Sequence, residues 1–455
     1  MNCRIMFGVW LVALAGCSPD AVTLVPGKTE VVIAADAPKS VEFAAAEMTN
    51  FLSHVLGRPV GVVNRPSGSN AAVFLGDNAW SRAEGLDPKK PKRDGFFIRA
   101  SERGVFIVGA DDSKADLAAI IRNGRVDGPA AAGVIKKCGE HATLFGVYEF
   151  LHRYAACRFY FAHELGTIVP AKSSVEIPFG TYLREPAWTE RNIYLNADGV
   201  WPGETGANTT RTSPKCLNWL RLKLQTRDVI SGHGFNCLQF SRRFGKAHPD
   251  WFYLRKVPGG DGYERDPHGK SPNQMCWSNP AVWDQMFDDV MAYWRGEDAA
   301  PRGIVREWNS DARGWGPFVH DGFVDLSPQD GMRACQCERC RAACDESRRP
   351  LGWASDYMWP KWAAFAKRLA DEGCPYVMMT SAYAGWTEPP KCSLPSNMAV
   401  EVSVQGPWSW GNKEVLAREA KAVRTWAEKL GHKVWTCTYP AKHPEFSYGI
   451  PGVPD

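Results

Sequence analysis

Three features are missing from this sequence, and each absence argues against a class of protein. The charges nearly cancel, with 54 basic and 50 acidic residues interleaved along the chain, so no basic footprint for nucleic acid is present. Beyond the N-terminal segment, no apolar run approaches the roughly 18 residues of a membrane-spanning helix. No glycine-rich turn that could cradle a phosphate follows a strand, which disfavours a doubly wound nucleotide-binding fold.

The N-terminus has the pattern of an export signal. A basic residue precedes an apolar stretch over residues 5–15, and residues 14–17 are Leu-Ala-Gly-Cys. A short basic region, an apolar region and a small-residue cleavage site are typical of a secretory signal. The ending is similar to the lipobox of bacterial lipoproteins, which implies removal of residues 1–16 and lipidation of Cys17. An ordinary signal peptide that contains this cysteine is the alternative.

The lipobox resemblance predicts where the protein is found. Ser18 follows the cysteine, and the absence of aspartate at this position favours sorting to the outer membrane. We therefore expect an extracytoplasmic protein that is attached to the bacterial outer membrane or cell surface by its N-terminal lipid.

Cysteine is abundant, with 14 residues, and four of them are close together: Cys335, Cys337, Cys340 and Cys344. Disulfides persist in exported proteins, so disulfides or buried structural thiols are one interpretation of this group. A zinc site made of thiolates is a second. Redox chemistry is a third, although no thioredoxin-like strand–helix–strand context is present. The sequence assigns no metal ligand, and we expect no cofactor.

The first half of the mature chain predicts an α+β sandwich domain over residues 17–183. Apolar residues at helical spacing predict a helix over 41–56, which Ser40 caps and Gly57 ends. Alternating or continuous apolar runs, and a turn at 101–104, predict the remaining elements. These are strands at 30–34 and 71–75, a hairpin of 96–100 with 105–110, and a helix at 141–157.

Residues 184–455 predict a second domain of repeated β–α units. Such repeats favour a (β/α)8 TIM-type barrel of the α/β class. Only six or seven strands can be counted, and residues 450–455 are loop-like, so we expect the barrel to be incomplete at its C-terminus. The predicted strands are 191–196, 229–233, 322–326, 376–380, 400–404 and 433–438, and the predicted helices are 214–225, 280–294, 355–372 and 413–430.

Several motifs resemble known families. The first domain resembles the domain that precedes the barrel in α-glucuronidases of glycoside hydrolase family 67 and β-hexosaminidases of family 20, on residues 94–99, 104–109, 143–152 and 157–160. The second is similar to the bacterial family termed domain of unknown function 4838, on residues 232–234, 248–252, 276–280, 324–331 and 335–340. The resemblance implies a glycoside-hydrolase-like barrel.

Candidate catalytic residues follow from this implication. Glycosidases use two carboxyl groups, and barrel active sites lie at the carboxyl ends of the strands. Asp330 follows the predicted strand 322–326, where related hexosaminidase-like barrels carry the general acid, so Asp330 is the candidate acid; a simple Asp-Gly turn is the alternative. Gln329 precedes it in place of an Asp-Glu pair, which argues against the substrate-assisted mechanism. Glu401 lies inside a strand and must be paired or face the lumen. The second catalytic carboxylate is left unassigned.

Candidate substrate-binding residues also lie at predicted strand ends, where aromatic rings can stack on sugars. Packing is the alternative for each aromatic residue. Arg242 and Arg243, in a long loop, either clamp a uronate carboxylate or belong to a solvated surface. The substrate-binding set is His233, Asp198, Tyr383, Trp386, Gln405, Trp408, Trp410 and Tyr439.

Together these observations predict an exported, lipid-anchored glycoside hydrolase that acts on an oligo- or polysaccharide. A non-catalytic glycan-binding lipoprotein on the same barrel is the alternative. Neither predicts a nucleic-acid partner.

Overall fold

The computed structural model describes residues 20–113, 116, 117, 139–160, 164–188, 191, 217, 218, 220–224, 232–268, 274–307, 310–320, 322–329, 335–405, 411–432 and 434–438. Contacts divide the chain into two units. The N-terminal unit comprises Met1–Val126, Ala131–Tyr194 and Thr210–Arg227, and the C-terminal unit comprises Asp127–Ala130, Leu195–Thr209 and Asp228–Asp455.

The N-terminal unit is a mixed six-stranded sheet with two long helices on one face. The strand order is β10-β5-β6-β4-β2-β3, and helices α1 and α3 share one apolar core with the sheet. A smaller apolar cluster covers the opposite face. The elements are β1 (Ala21–Leu24), β2 (Thr29–Val32), α1 (Lys39–Leu56), β3 (Gly61–Val63), β4 (Ala71–Leu75), α2 (Ala79–Ala83), β5 (Phe96–Ser101), β6 (Gly104–Gly109), α3 (Ala142–Arg153), β7 (Arg158–Phe159), β8 (Thr167–Ile168), β9 (Val175–Pro178) and β10 (Gly180–Arg184).

The predicted elements of this unit are confirmed, with one correction at a helix start. Gly57 ends α1 in the left-handed conformation, at φ 64°, which glycine adopts without steric cost. Ser40 does not cap α1, because the helix begins one residue earlier and Pro38 occupies the cap position. Ser40 is instead buried within the first turn.

One predicted barrel helix lies in the N-terminal unit instead. Within the prediction 214–225, Leu220 belongs to the core of the N-terminal sheet. The guanidinium of Arg221 donates to the carboxylate of Glu47, with Nε 3.0 Å from Oε2. These contacts bind the segment to α1.

The C-terminal unit contains a five-stranded sheet in the order β13-β14-β15-β16-β17. Strands β14 to β17 are parallel to one another, and β13 is antiparallel to β14. The elements are α4 (Phe240–Phe244), β11 (Leu254–Lys256), β12 (Tyr263–Arg265), α5 (Pro280–Trp294), β13 (Val319–His320), β14 (Phe323–Asp325), α6 (Glu338–Ala343), α7 (Ser355–Asp371), β15 (Val377–Ala382), β16 (Met398–Val404), α8 (Lys413–Leu430) and β17 (Trp435–Thr438).

Four parallel strands in chain order, with α-helices in two of their three connections, form a half-barrel sheet. The predicted α/β architecture of this region is therefore confirmed to that extent, and closure into an eight-stranded barrel stays a prediction. The predicted strand at 191–196, apart from its first residue, and most of that at 229–233 lie outside the described residues. The predicted helix over 280–294 is observed as α5, and the Asn279 side chain caps it by accepting a hydrogen bond from the Ala281 N–H.

The segments that bear on membrane attachment are only partly described. Among the helices in the described ranges, none combines the length and apolar character needed to cross a membrane. Residues 1–16 and Cys17, on which the lipid-anchor prediction rests, lie outside the described residues.

Candidate active site

The parallel sheet of the C-terminal unit has one face toward its helices and one face away from them. Val324, Met378 and Val400 belong to the helix-packed core. Since side chains alternate along a strand, their sequence neighbours point to the opposite face, where Phe323, Met379 and Ala399 form a separate apolar cluster. We call this opposite face the inner face. By the same alternation it also carries Asp325, Ser381, Glu401, Ser403, Trp435 and Cys437.

Glu401 is an acidic residue in the middle of the inner face. It lies in register with Ser381 on one neighbouring strand and Trp435 on the other. Burial raises the pKa of its carboxyl to about 8, and the negative charge of Asp325 adds to this increase. The Ser381 hydroxyl, 3.4 Å from Oε1, opposes it by hydrogen bonding. A pKa of about 8 favours the protonated carboxyl at neutral pH, and the residue keeps some exposure to solvent.

Asp325 is a buried carboxylate at the carboxyl end of β14. Its Oδ2 accepts the backbone N–H groups of Gly232 at 2.6 Å and Gly234 at 3.2 Å. Its Oδ1 accepts the N–H of Ser327 at 2.7 Å. A Cβ atom at position 234 would lie 2.2 Å from the Asp325 carbonyl oxygen, so only glycine allows this approach.

His233 lies at this strand end, between the two glycines that bind Asp325. Its Nδ1 is 2.7 Å from the carbonyl oxygen of Pro328. A carbonyl only accepts, so Nδ1 carries the proton in this contact. His233 itself has a left-handed backbone, at φ 59°. The structure thus brings His233, Asp325 and the chain leading to Asp330 together, while ligand binding by His233 stays a prediction.

Two other predicted binding residues meet at the next strand ends. Tyr383 and Gln405 line a cavity of about 220 Å³ together with Arg418. Tyr383 is 37% exposed, and so its ring is accessible. The Gln405 N–H donates to the Glu419 carboxylate at 2.6 Å, which fixes the chain where β16 ends.

Trp386 does not offer its ring to a ligand in this structure, contrary to the expectation from sequence. It is buried in the helix-side core, and its indole N–H donates to the Ser381 carbonyl at 2.7 Å. A short 3₁₀ turn at Ala384–Trp386 directs the ring into this helix-side core. Tryptophan abundance also has a structural explanation, because five further indoles are almost fully buried: Trp277, Trp315, Trp359, Trp362 and Trp426.

Arg243 is likewise structural, which corrects both interpretations of its role. Its guanidinium forms a two-fold contact with Asp289, at 2.7 and 3.0 Å. The Arg243 side chain is only 4% exposed, so it neither clamps a uronate nor lies in solvent. Arg242 is exposed.

Several predicted site residues cannot be placed. They lie outside the described residues and are Cys17, Asp198, Asp330, Trp408, Trp410 and Tyr439.

A cysteine cluster lies in the same unit, apart from the inner face. The sulfur atoms of Cys276, Cys335, Cys337 and Cys340 all lie within 4.8 Å of one another. Cys344, the fourth member of the predicted group, is not part of it, and Cys276 from a distant segment takes its place. In the described part of the chain, ten cysteines are free thiols, and these four are among them.

Comparison with known proteins gives weak structural similarity only. No family model and no curated protein matches the chain, so the resemblance to domain of unknown function 4838 stays a prediction. A β-N-acetylhexosaminidase from Bacteroides fragilis is 11% identical over 92% of this chain and 73% of its own, with a TM-score of 0.35. A family GH20 β-N-acetylhexosaminidase from Streptomyces coelicolor is 12% identical over 93% and 73%, with a TM-score of 0.37. The GH115 4-O-methyl-α-glucuronidase BtGH115A is 11% identical over 91% and 54%, with a TM-score of 0.30. These values are too low to assign a family, and function is therefore inferred from the side chains of the site.

Proposed function

We propose that this protein hydrolyses glycosidic bonds and that Glu401 is the proton donor. The observation that supports this most directly is the raised pKa of Glu401, about 8, on the same face of the sheet as a second buried carboxylate, Asp325. Glycoside hydrolysis needs one carboxyl group that is protonated at working pH and one that is ionised. Glu401 meets the first requirement, and it lies on the inner face three residues before the carboxyl end of β16, the end of the strands at which a barrel binds its substrate.

The roles of the other acidic residues follow from this assignment. Asp330 was the acid suggested by sequence; with Glu401 protonated, Asp330 becomes the proposed ionised partner, base or nucleophile. Asp325 already accepts three backbone N–H groups. In our proposal it keeps the His233 segment in place, and its charge keeps Glu401 protonated.

The proposed substrate is an oligo- or polysaccharide. Tyr383 supplies an accessible ring for a sugar face, and Gln405 and His233 supply polar contacts at neighbouring strand ends. Asp198, Trp408, Trp410 and Tyr439 complete the proposed set on sequence grounds, and Trp386 is withdrawn from it. We further propose export, lipidation at Cys17 and a position at the outer membrane or cell surface.

Glycan binding without hydrolysis is the second candidate function, and one observation favours it. Both oxygens of Asp325 are used by the backbone, so this carboxylate is poorly placed to act as the ionised partner. If Asp330 also contributes nothing, Glu401 has no catalytic partner. The same strand ends would then only bind sugars.

The test compares Glu401→Gln with Glu414→Gln on aryl glycosides and polysaccharides. Glu414 is exposed in the first turn of α8 and provides the matched control. Loss of a general acid lowers kcat by about 10²–10⁴, so Glu401→Gln should lose this much on substrates with poor leaving groups. On dinitrophenyl glycosides, whose leaving group needs no proton, it should lose far less.

Glu401→Gln should remain folded, because glutamine replaces a carboxyl that is already neutral. Unfolding by denaturant checks this. Equal activity of the two variants on every hydrolysed substrate would sink the assignment of Glu401. Saturable glycan binding by the wild type, with no hydrolysis of any substrate, would establish the binding function instead.

A further inference from the structure

We infer that Cys276, Cys335, Cys337 and Cys340 bind one structural zinc ion. Four sulfur atoms within 4.8 Å of one another can supply all four ligands of a tetrahedral site. Zinc is the metal that such a set of four thiolates usually binds in proteins. Because four thiolates leave no open position for water or substrate, the ion would be structural rather than catalytic. This inference is independent of the proposed hydrolase activity.

The distances between sulfur atoms fit zinc coordination. Cys276 Sγ lies 3.7 Å from Cys337 Sγ and 3.7 Å from Cys340 Sγ. At a Zn–S distance of about 2.3 Å, a tetrahedral site places its sulfurs about 3.8 Å apart. A disulfide would require about 2.05 Å. The spacing is thus that of ligands around a common centre rather than of bonded pairs.

The surroundings supply hydrogen-bond donors to the thiolates. The Leu254 N–H donates to Cys335 Sγ at 3.2 Å, and the Arg265 guanidinium lies 3.8 Å from the same atom. The Tyr357 hydroxyl lies 2.9 Å from Cys340 Sγ and can donate to it. As a free thiol, Cys340 donates to Ser278 Oγ at 3.2 Å. Donors of this kind hold the sulfur atoms that bind the metal in position, and a cation nearby offsets the net negative charge of a four-thiolate zinc site.

The ion would join segments that are far apart in sequence. Cys276 precedes α5, Cys337 is the residue before α6, and Cys340 lies inside α6. Leu254 and Arg265 come from the two strands of the β11–β12 hairpin. Zinc would therefore hold the start of α5, helix α6 and the β11–β12 hairpin together.

Metal analysis of the purified full chain tests this inference, with Cys337→Ser and Cys344→Ser as a matched pair. Both cysteines are partly buried, but only Cys337 belongs to the cluster. We expect one zinc per chain in the wild type and in Cys344→Ser. Cys337→Ser should bind zinc at least about 100-fold more weakly, since loss of an inner-sphere ligand exceeds the effect of an outer-sphere change.

A second measurement does not depend on a variant that folds. X-ray absorption at the zinc edge of the wild type should show four sulfur neighbours at about 2.3 Å. A mercurial reagent should release one zinc as it modifies the four thiols of the cluster. A metal-free folded chain, iron in place of zinc, or disulfides within the cluster would overturn the inference. So would loss of zinc from Cys344→Ser equal to that from Cys337→Ser.

Discussion

Asp289 is the residue on which a buried charge network of the C-terminal unit depends. It is completely buried, and its carboxylate accepts from Arg243 at 2.7 and 3.0 Å and from Arg302 at 2.7 Å. Two guanidinium groups thus share one carboxylate on the buried side of helix α5. A buried ion pair adds little net stability, but a partner left alone is costly because its charge stays desolvated.

We therefore expect Asp289→Asn to lower the free energy of unfolding by about 3–5 kcal/mol. The control is Asp284→Asn, whose exposed pair with Arg368 should contribute less than about 1 kcal/mol. Urea unfolding of both variants measures the difference. Similar losses in the two variants would show that the Arg243 network is not the source of the effect.

At the scale of elements, helix α3 approaches the N-terminal sheet at a glycine. A Cβ atom at Gly146 would lie 2.5 Å from Cγ2 of Ile107 and 3.2 Å from the ring of Phe96. Helix propensity alone would favour alanine by about 1 kcal/mol. The close contact opposes this, because the core around Ile107 is tightly packed.

Gly146→Ala should therefore destabilise the N-terminal unit, since overpacking costs about 1–3 kcal/mol and exceeds the gain in propensity. Gly61→Ala in β3 is the matched control, because a Cβ there meets no atom within 4 Å. It should leave thermal stability within about 0.5 kcal/mol of the wild type. An increase in stability for Gly146→Ala would contradict the packing described here.

Local signals in the sequence predicted most elements correctly. Helix α1 ends at Gly57 and the hairpin β5–β6 turns at residues 101–104, as predicted, since each feature depends on a few adjacent residues. Features that depend on distant residues were missed. Cys276 lies 61 residues before Cys337, so spacing alone suggested the nearby Cys344. The burial of the Trp386 ring in the helix-side core likewise depends on tertiary packing.

At the scale of the whole chain, the candidate site is assembled from strands whose pairing register cannot be predicted from the sequence. The sequence indicated that Glu401 must be paired or face a lumen. It could not show that Asp325 lies on the same face, because that depends on the register of β14, β15 and β16. In this register the negative charge of Asp325 adds to the effect of burial on the pKa of Glu401, and the two effects together make Glu401 a proton donor in our account.

The pH dependence of kcat/KM on an aryl glycoside tests this account most directly. A general acid acts only when protonated, so activity should fall as the pH rises through about 8, the raised pKa of Glu401. The ordinary value of 4.5 would place the fall well below neutrality. Circular dichroism over the same range confirms that the chain stays folded. We predict a descending limb near pH 8 that is absent from the residual activity of Glu401→Gln. The central claim would be contradicted if the residual activity of Glu401→Gln kept the descending limb near pH 8. It would also be contradicted if the activity of the wild type fell near pH 4.5.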